Sequence, residues 1–262
     1  MKKKLFFVLI FFLFLFRLIY GLTSEFWFED ELQIYLLGLK FYSTLAWLYF
    51  GPVVVYTQSQ LPVALLVLLV GLPLLLLKIP ESPFVFLNIL SFSTLSFFAY
   101  YITKRLPDLP KWFVWTIVLT SPWLLNFSTH IVNPSFILPF SIIFFICFIE
   151  LIPLYESKII PHKVALLIMG LTTSCIMQLH LSWVLLIPFA LIVFYYIFKT
   201  KAKKSYLLVS LYLLGFLAGA MLIIPTFIKY GLFGTGGTES NLVFNIHNIK
   251  NFINVLTRYF SL

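Results

Sequence analysis

Long apolar runs separated by short polar segments constrain this chain more than any other feature of its sequence. Hydrophobic side chains make up 61% of the 262 residues and charged side chains only 10%, whereas a soluble domain carries roughly 25% charged residues. Such a chain cannot cover its surface with polar groups, so its solvent is mostly lipid. Because backbone polar groups in lipid must be satisfied internally, and because the runs lack the alternation of barrel strands, we expect an all-α, polytopic transmembrane bundle.

The apolar runs approach the length of a bilayer-spanning helix, about 20 residues. The predicted spans are 5–22, 83–103, 112–126, 134–153, 164–179, 181–198 and 206–228. The first run follows three lysines, has a long apolar core that ends near Arg17, and precedes no small-residue cleavage site. We therefore interpret it as an uncleaved first span with its N-terminus in the cytoplasm.

The apolar segment 61–77 decides the predicted topology, because it carries Gly71 and Pro73 near its centre. If it crosses the bilayer completely, the basic loops 104–111 and 199–204 fall outside, against the positive-inside tendency. If Gly71 and Pro73 instead break it into a kinked or re-entrant pair, those basic loops are cytoplasmic. We prefer the second arrangement, with seven full spans and one broken segment.

This arrangement treats residues 1–262 as a single transmembrane domain without a soluble domain. The segment 23–58 is then a first external loop, and 229–250 is an external tail loop. The net charge of +9 does not indicate nucleic-acid binding, because the basic residues form short clusters between apolar runs, as expected for membrane orientation. Cys147 and Cys175 lie inside apolar runs, so we predict packing residues and no disulfide or metal site.

The stretch EFWFEDELQIYLLGLKFY, residues 25–42, gathers four of the nine acidic residues of the chain: Glu25, Glu29, Asp30 and Glu31. Aromatic residues precede these acids, as is typical of a membrane interface, and the remainder predicts a short amphipathic helix on the membrane surface. One interpretation is that Asp30 caps this helix and that its neighbours are solvated. The other is that a carboxylate stands beside a membrane cavity as a general base or a metal ligand.

Three stretches resemble the GT-C glycosyltransferase superfamily, in particular glycosyltransferase family 39 and the aminoarabinose-transferase-like proteins. In those families the first external loop carries an acidic pair and then a surface helix with Tyr, as Asp30, Glu31 and Tyr35 do here. The segment that follows departs from the family pattern: YTQSQLPV, residues 56–63, keeps only Pro62 of a basic, proline-rich segment, with Gln58 near the basic position. The other two stretches are SPWLLNFSTHIVNPSFILPF, with His130 and Asn133, and MQLHLSW, with His180.

This resemblance implies transfer of a sugar from a polyprenyl-phosphate-linked donor at the outer face of a membrane. It implies catalytic roles for Asp30 as base and Glu31 in support. The implied substrate-binding residues are Tyr35, Gln58, His130, Asn133 and His180. The departing phosphate needs positive charge or a metal, and whether a divalent metal is the cofactor stays open. Ordinary structural roles remain alternatives: an interfacial histidine for His130 and His180, and a turn residue for Asn133.

Two other functions stay open at this point: a transporter or flippase of lipid-linked saccharides, and a non-catalytic membrane subunit. Ionisable residues inside spans would favour transport, and Glu150 is the exception in spans otherwise almost free of them. The expected partners are the lipid-linked donor and membrane lipids. We also expect a missing C-terminal portion or partner subunit, because GT-C enzymes are usually longer. The low cysteine content and the overall character of the sequence suggest a bacterial inner membrane.

Overall fold

A computed structural model gives the structure of the chain over residues 3–24, 28–52, 62, 64–132, 135–200 and 205–231. Within these residues all regular structure is helical and no strand occurs, as the sequence predicts. The α-helices are α1 (Lys3–Thr23), α2 (Phe28–Thr44), α3 (Ala64–Leu77), α4 (Ser82–Arg105), α5 (Lys111–Thr120), α6 (Pro122–Thr129), α7 (Ile137–Leu151), α8 (His162–Leu179), α9 (Ile187–Thr200), α10 (Ser205–Ala220) and α11 (Ile224–Tyr230). Two 3₁₀ turns, Leu181–Leu186 and Met221–Ile223, precede α9 and α11.

Five helical stretches in the described part of the chain are long and apolar enough to cross a membrane. They are Lys4–Thr23, Ser82–Arg105, His162–Leu179, Leu181–Thr200 and Ser205–Tyr230. Each coincides with a predicted span, because a long run rich in Leu, Ile and Phe favours a continuous helical stretch, and single glycines such as Gly170 and Gly215 do not interrupt it. The chain therefore has the helices of a multi-pass membrane protein.

The other two predicted spans differ from single long helices. The span predicted at 112–126 consists of α5 and α6, which meet at Ser121 in an extended conformation (ψ 125°). The cause is local, because Pro122 disfavours a helical backbone at the residue before it. The span predicted at 134–153 contains α7, which has 15 residues.

The segment 61–77 contains one short helix, α3, of 14 residues. The helix runs through Gly71 and Pro73 without interruption, so the expected break does not occur there. Pro73 removes only one backbone donor, and α2 packs against this part of α3. A Cβ on Gly71 would lie 2.5 Å from the Phe41 ring of α2, so the absence of a side chain lets the two helices approach.

Helix α4 runs from one end of the helical bundle to the other. Its 24 residues span about 36 Å at 1.5 Å per residue. At its start, Pro80 meets Tyr35 of α2, and the ends of α1 and α6 meet where Ser24 contacts His130. At its other end, Arg105 pairs with Glu150 at the end of α7. We call these the cavity end and the ion-pair end.

Helices α8 and α10 pack against each other at backbone distance. A Cβ on Gly170 would lie 2.0 Å from the carbonyl oxygen of Tyr212, and one on Gly215 would lie 1.9 Å from that of Leu167. Small residues at such crossings let helices approach closely in membranes, where apolar surface alone gives little driving force. Near the cavity end of the same interface, the Gln178 amide donates a hydrogen bond to the Gly219 carbonyl (2.9 Å).

Candidate functional site

A cavity of about 490 Å³ lies at the cavity end, between the end of α1, α2 and the start of α4. Its lining residues are Gly21, Leu22, Ser24, Leu32, Tyr35, Pro80, Glu81, Phe84 and His130. Apolar walls with a few convergent polar groups are typical of ligand-binding pockets. The cavity therefore defines the candidate site, and it includes two of the residues singled out in the sequence, Tyr35 and His130.

Glu31 lies directly behind the cavity wall, on the buried face of α2. Its side chain is fully buried, and Oε1 accepts a hydrogen bond from the backbone N–H of Ile131 (2.8 Å). The same oxygen lies 3.4 Å from Nδ1 of His130. A carboxylate can be buried only when such partners replace water. Glu31 thus ties α2 to the segment that follows α6.

The His130 imidazole has a second partner on its other side. Its Nε2 lies 2.8 Å from Oγ of Ser24, at the end of α1. The Ser24 hydroxyl also reaches the carbonyl of Tyr20, and its single proton can be donated either there or to Nε2. The Tyr20 ring lies edge-on to the imidazole with centroids 6.4 Å apart. Ser24, His130 and Glu31 therefore form a continuous polar array from the cavity into the protein interior.

Arg17, on α1, is a buried cation close to this array. Its guanidinium donates hydrogen bonds to the carbonyl of Leu119 (2.9 Å) and to Oγ of Ser128. The break before Pro122 ends α5 next to Leu119, and the last carbonyls of a helix lack helical donors and carry the negative end of its dipole. Arg17 therefore caps α5, which gives this intramembrane charge a structural role.

Tyr35 and Phe84 form an aromatic wall of the cavity. Their rings are stacked with centroids 6.1 Å apart, and the Tyr35 hydroxyl donates to the carbonyl of Pro80 (3.2 Å). Desolvation, followed by the negative charge of Glu81, raises the pKa of Tyr35 above its usual value. Tyr35 therefore remains a neutral phenol that can donate a hydrogen bond.

Asp30 is exposed in the first turn of α2 and does not line the cavity. Helix geometry explains the contrast with Glu31, because successive residues on a helix point about 100° apart. Asp30 instead stands at the N-terminal end of α2, where the helix dipole favours a negative charge.

His180 is exposed in the junction between α8 and α9, and it is not a lining residue. Its Nδ1 accepts a hydrogen bond from the backbone N–H of Ser182 (3.0 Å), which caps the 3₁₀ turn. Partial desolvation lowers the pKa of His180. Gln58 and Asn133, the other two predicted substrate-binding residues, lie outside the described residues.

No family model, curated protein or solved structure matches this chain. Among the described residues, no group of three or more His, Cys, Asp and Glu side chains is arranged to hold a metal ion. The chemistry available in the described part of the site is hydrogen bonding, aromatic contact and proton transfer.

Ser24, Glu81 and Phe84 are among the cavity residues that were not predicted from the sequence. Ser24 carries a weak signal, because it follows the first span and precedes the acidic stretch. Glu81 and Phe84 carry none, since they come from the loop and first turn of a different span. Only the packing of α4 against α2 brings them to the cavity.

A second buried carboxylate, Glu150, lies at the ion-pair end. It forms an ion pair with Arg105 and accepts hydrogen bonds from the Tyr101 hydroxyl (2.8 Å) and the Ile159 backbone N–H (2.9 Å). The Arg105 guanidinium also lies over the Tyr155 ring, 4.4 Å from its centroid. These contacts join α4 and α7 to the loop before α8, so Glu150 has a structural role in the described part of the chain.

Proposed function

We propose that the chain is a membrane glycosyltransferase of the GT-C type, which transfers a sugar from a polyprenyl-phosphate-linked donor to a hydroxyl-bearing acceptor. The observation that carries the proposal is the cavity of about 490 Å³, where an aromatic wall and a carboxylate–histidine pair converge. Aromatic faces suit a sugar ring, and a positioned acid–base group suits removal of an acceptor proton. The cavity lies at one end of the membrane helices, as a lipid-linked substrate requires.

We further propose that the cavity end faces outward and that the N-terminus is cytoplasmic. Basic residues support this orientation, because they concentrate at the ion-pair end: α1 begins at Lys3, α4 ends in Lys104 and Arg105, and α9 ends in Lys199. Such clusters favour the cytoplasmic side. In this arrangement the bacterial inner membrane is crossed seven times, with α5 and α6 together forming one span.

Helix α3 does not complete a crossing in the proposed topology. It packs with residues of the cavity end, since Leu66 and Val70 share a buried cluster with Ile131 and Leu179. Its 14 residues span only about 21 Å, less than the hydrocarbon thickness of about 30 Å. Helix α2 then lies at the membrane interface, with Leu36 and Leu39 of its exposed face directed to lipid.

The assay for this function is transfer of labelled sugar from polyprenyl-phosphate donors by the full chain in proteoliposomes. Wild-type protein should transfer label to a hydroxyl acceptor. Glu31→Gln should lower the rate by about 10²-fold or more, as expected when an acid–base group is disturbed, whereas Asp30→Asn should have a smaller effect because Asp30 is exposed. Equal loss in both variants would place Asp30 in the site.

The same vesicles separate the alternative functions. A flippase would move the labelled lipid between leaflets without transferring its sugar, and a non-catalytic subunit would do neither although it is folded. Arg17 does not favour transport, because its described contacts cap α5. Transbilayer movement without transfer would contradict the proposed function.

Accessible cysteines test the orientation. Ser43 on α2 and Glu156 in the loop after α7 are both exposed, while Cys147 and Cys175 are buried. With an impermeant thiol reagent applied from outside, Ser43→Cys should react and Glu156→Cys should not. Labelling of Glu156→Cys alone would reverse the proposed orientation.

A further inference from the structure

The polar array in the cavity points to one particular proton acceptor, and this inference rests on the function proposed above. Ser24 Oγ lies 2.8 Å from His130 Nε2, and Glu31 Oε1 lies 3.4 Å from His130 Nδ1. Ser24 and His130 line the cavity, whereas Glu31 is fully buried behind the imidazole. We propose that His130 is the catalytic base of sugar transfer and that Glu31 is a positioning residue.

The two acids expected from the sequence are poorly placed to take the proton themselves. Asp30 is exposed and does not line the cavity. Glu31 is buried, and its Oε1 already accepts the Ile131 N–H. Of His130 and Glu31, only His130 lines the cavity that an acceptor hydroxyl would enter. The imidazole is also a suitable base, because it can carry or lose a proton near neutral pH.

The Ser24 hydroxyl marks where the acceptor hydroxyl binds. It sits within the distance of about 2.6–3.2 Å that a general base needs. It also has a second partner, the Tyr20 carbonyl, so it can leave Nε2 without losing all its hydrogen bonds. An acceptor hydroxyl can then take the same position on His130.

These groups account for every bond and every proton in the transfer step. The acceptor oxygen bonds to the anomeric carbon of the sugar while its proton passes to Nε2 of His130. The bond between the anomeric carbon and the phosphate oxygen breaks, and the polyprenyl phosphate leaves with the electron pair. His130 becomes an imidazolium that Glu31 stabilises, and it later returns the proton to solvent. Neither an oxidant nor a reductant is needed.

Several charged and titratable groups face His130 and set the pH dependence of this step. Glu31 approaches from α2, and Glu81 lines the same cavity. Tyr20 presents its ring from α1, and Arg17 lies nearby through its contact with Ser128. Because only a neutral imidazole can take the proton of the acceptor, the transfer rate should be higher at higher pH.

The test compares variants of the full chain in proteoliposomes, with labelled polyprenyl-phosphate sugar and the acceptor used by wild type. His130→Gln should lower kcat by about 10²–10⁴-fold, change KM little and abolish the rise of rate with pH. Glu31→Gln should shift the midpoint of the pH–rate profile to lower pH, since the imidazolium loses its negative partner. A purely structural role of Glu31 would leave that midpoint unchanged.

Matched variants separate the alternatives. Glu29→Gln, an exposed neighbour on α2, should leave the rate and the pH profile unchanged. Ser24→Ala should lower the rate less than His130→Gln, by about tenfold or less, because Ser24 only occupies the acceptor position. His130→Gly should regain part of its activity with added imidazole, which a structural role would not produce.

Four results would contradict the assignment of His130 as the base. If wild type transfers sugar and His130→Gln keeps the wild-type rate and pH profile, His130 is not the base. If Glu81→Gln instead abolishes the pH dependence, Glu81 is the base. Complete loss in Ser24→Ala, with a sugar adduct on Ser24 in wild type, would make Ser24 a nucleophile and overturn the inference. If folded wild-type protein transfers no sugar, the proposed function itself fails, and this assignment fails with it.

Discussion

Two fully buried carboxylates, Glu31 and Glu150, lie at opposite ends of α4 and have different kinds of partner. Glu150 faces Arg105, a permanent cation, together with a phenol and a backbone N–H. Glu31 faces a backbone N–H and His130, whose charge depends on pH. Burial is the same for both, so the partner decides the role. The Glu150–Arg105 pair holds the loop before α8, and the Glu31–His130 pair lies beside the cavity.

The largest expected effect is on stability at the ion-pair end. Glu150→Ala leaves Arg105 buried without its carboxylate, and breaking such a pair costs about 3–5 kcal/mol. Thermal unfolding in detergent should show a lower Tm, with little change in activity per folded molecule. The double variant Arg105→Met with Glu150→Met should recover much of the loss, because it removes both charges. A double variant as unstable as the single one would contradict this account.

The next effect concerns the phenol at the same end. Tyr101→Phe removes the hydroxyl that donates to Glu150, and a hydrogen bond to a charged group contributes about 1.5–3 kcal/mol. The matched variant Tyr35→Phe at the cavity end removes a donor to a neutral carbonyl, for which about 0.5–1.5 kcal/mol is expected. Unfolding of both variants in denaturant should rank them in this order. The reverse order would mean that the hydrogen bond to the charged Glu150 does not contribute more stability than the hydrogen bond to the neutral Pro80 carbonyl.

Glu31→Gln tests the difference between the two buried carboxylates most directly. The amide oxygen can still accept the Ile131 N–H, so the loss of stability should be only about 1 kcal/mol, while the proposed sugar transfer should fall by much more. Stability and transfer should be measured on the same purified sample. A loss of stability as large as that of Glu150→Ala would show that the two carboxylates have the same structural role.

The smallest expected effect comes from His180, the exposed histidine in the junction between α8 and α9. Because its pKa is lowered in the folded chain, the unfolded chain binds the proton at higher pH, and stability should fall as pH drops below about 6.5. His180→Gln should remove this part of the pH dependence of Tm. An unchanged pH dependence in that variant would assign the effect to another histidine, such as His130.

The sequence predicted helix positions best for the longest apolar runs, five of which form helical stretches long enough to cross a membrane in the described part of the chain. It predicted the span at 112–126 less well, because Pro122 divides it into two helices. It was least informative for 61–77, where Gly71 and Pro73 suggested a break and the structure contains a short continuous helix. There, contact with α2 outweighs the weak local tendency of one proline to interrupt the helix.

The candidate site was predictable in part. Composition and charge singled out the acidic stretch, and two of the predicted substrate-binding residues, Tyr35 within it and His130 far from it in the sequence, line the cavity. The sequence ranked Asp30 before Glu31, yet Asp30 is exposed and Glu31 is buried against His130. Which of two adjacent acids turns inward depends on the face of α2 that packs against the bundle.

By itself, the sequence determined that this chain is helical and belongs in a membrane. Both follow from composition, since the cost of an unsatisfied backbone in lipid applies to every apolar run regardless of its neighbours. The tertiary structure alone decided that Ser24, Glu31 and His130 meet, although they come from three separate segments. Their meeting depends on helix packing and on the rotation of each helix about its axis, and these are set by contacts between residues about 100 positions apart.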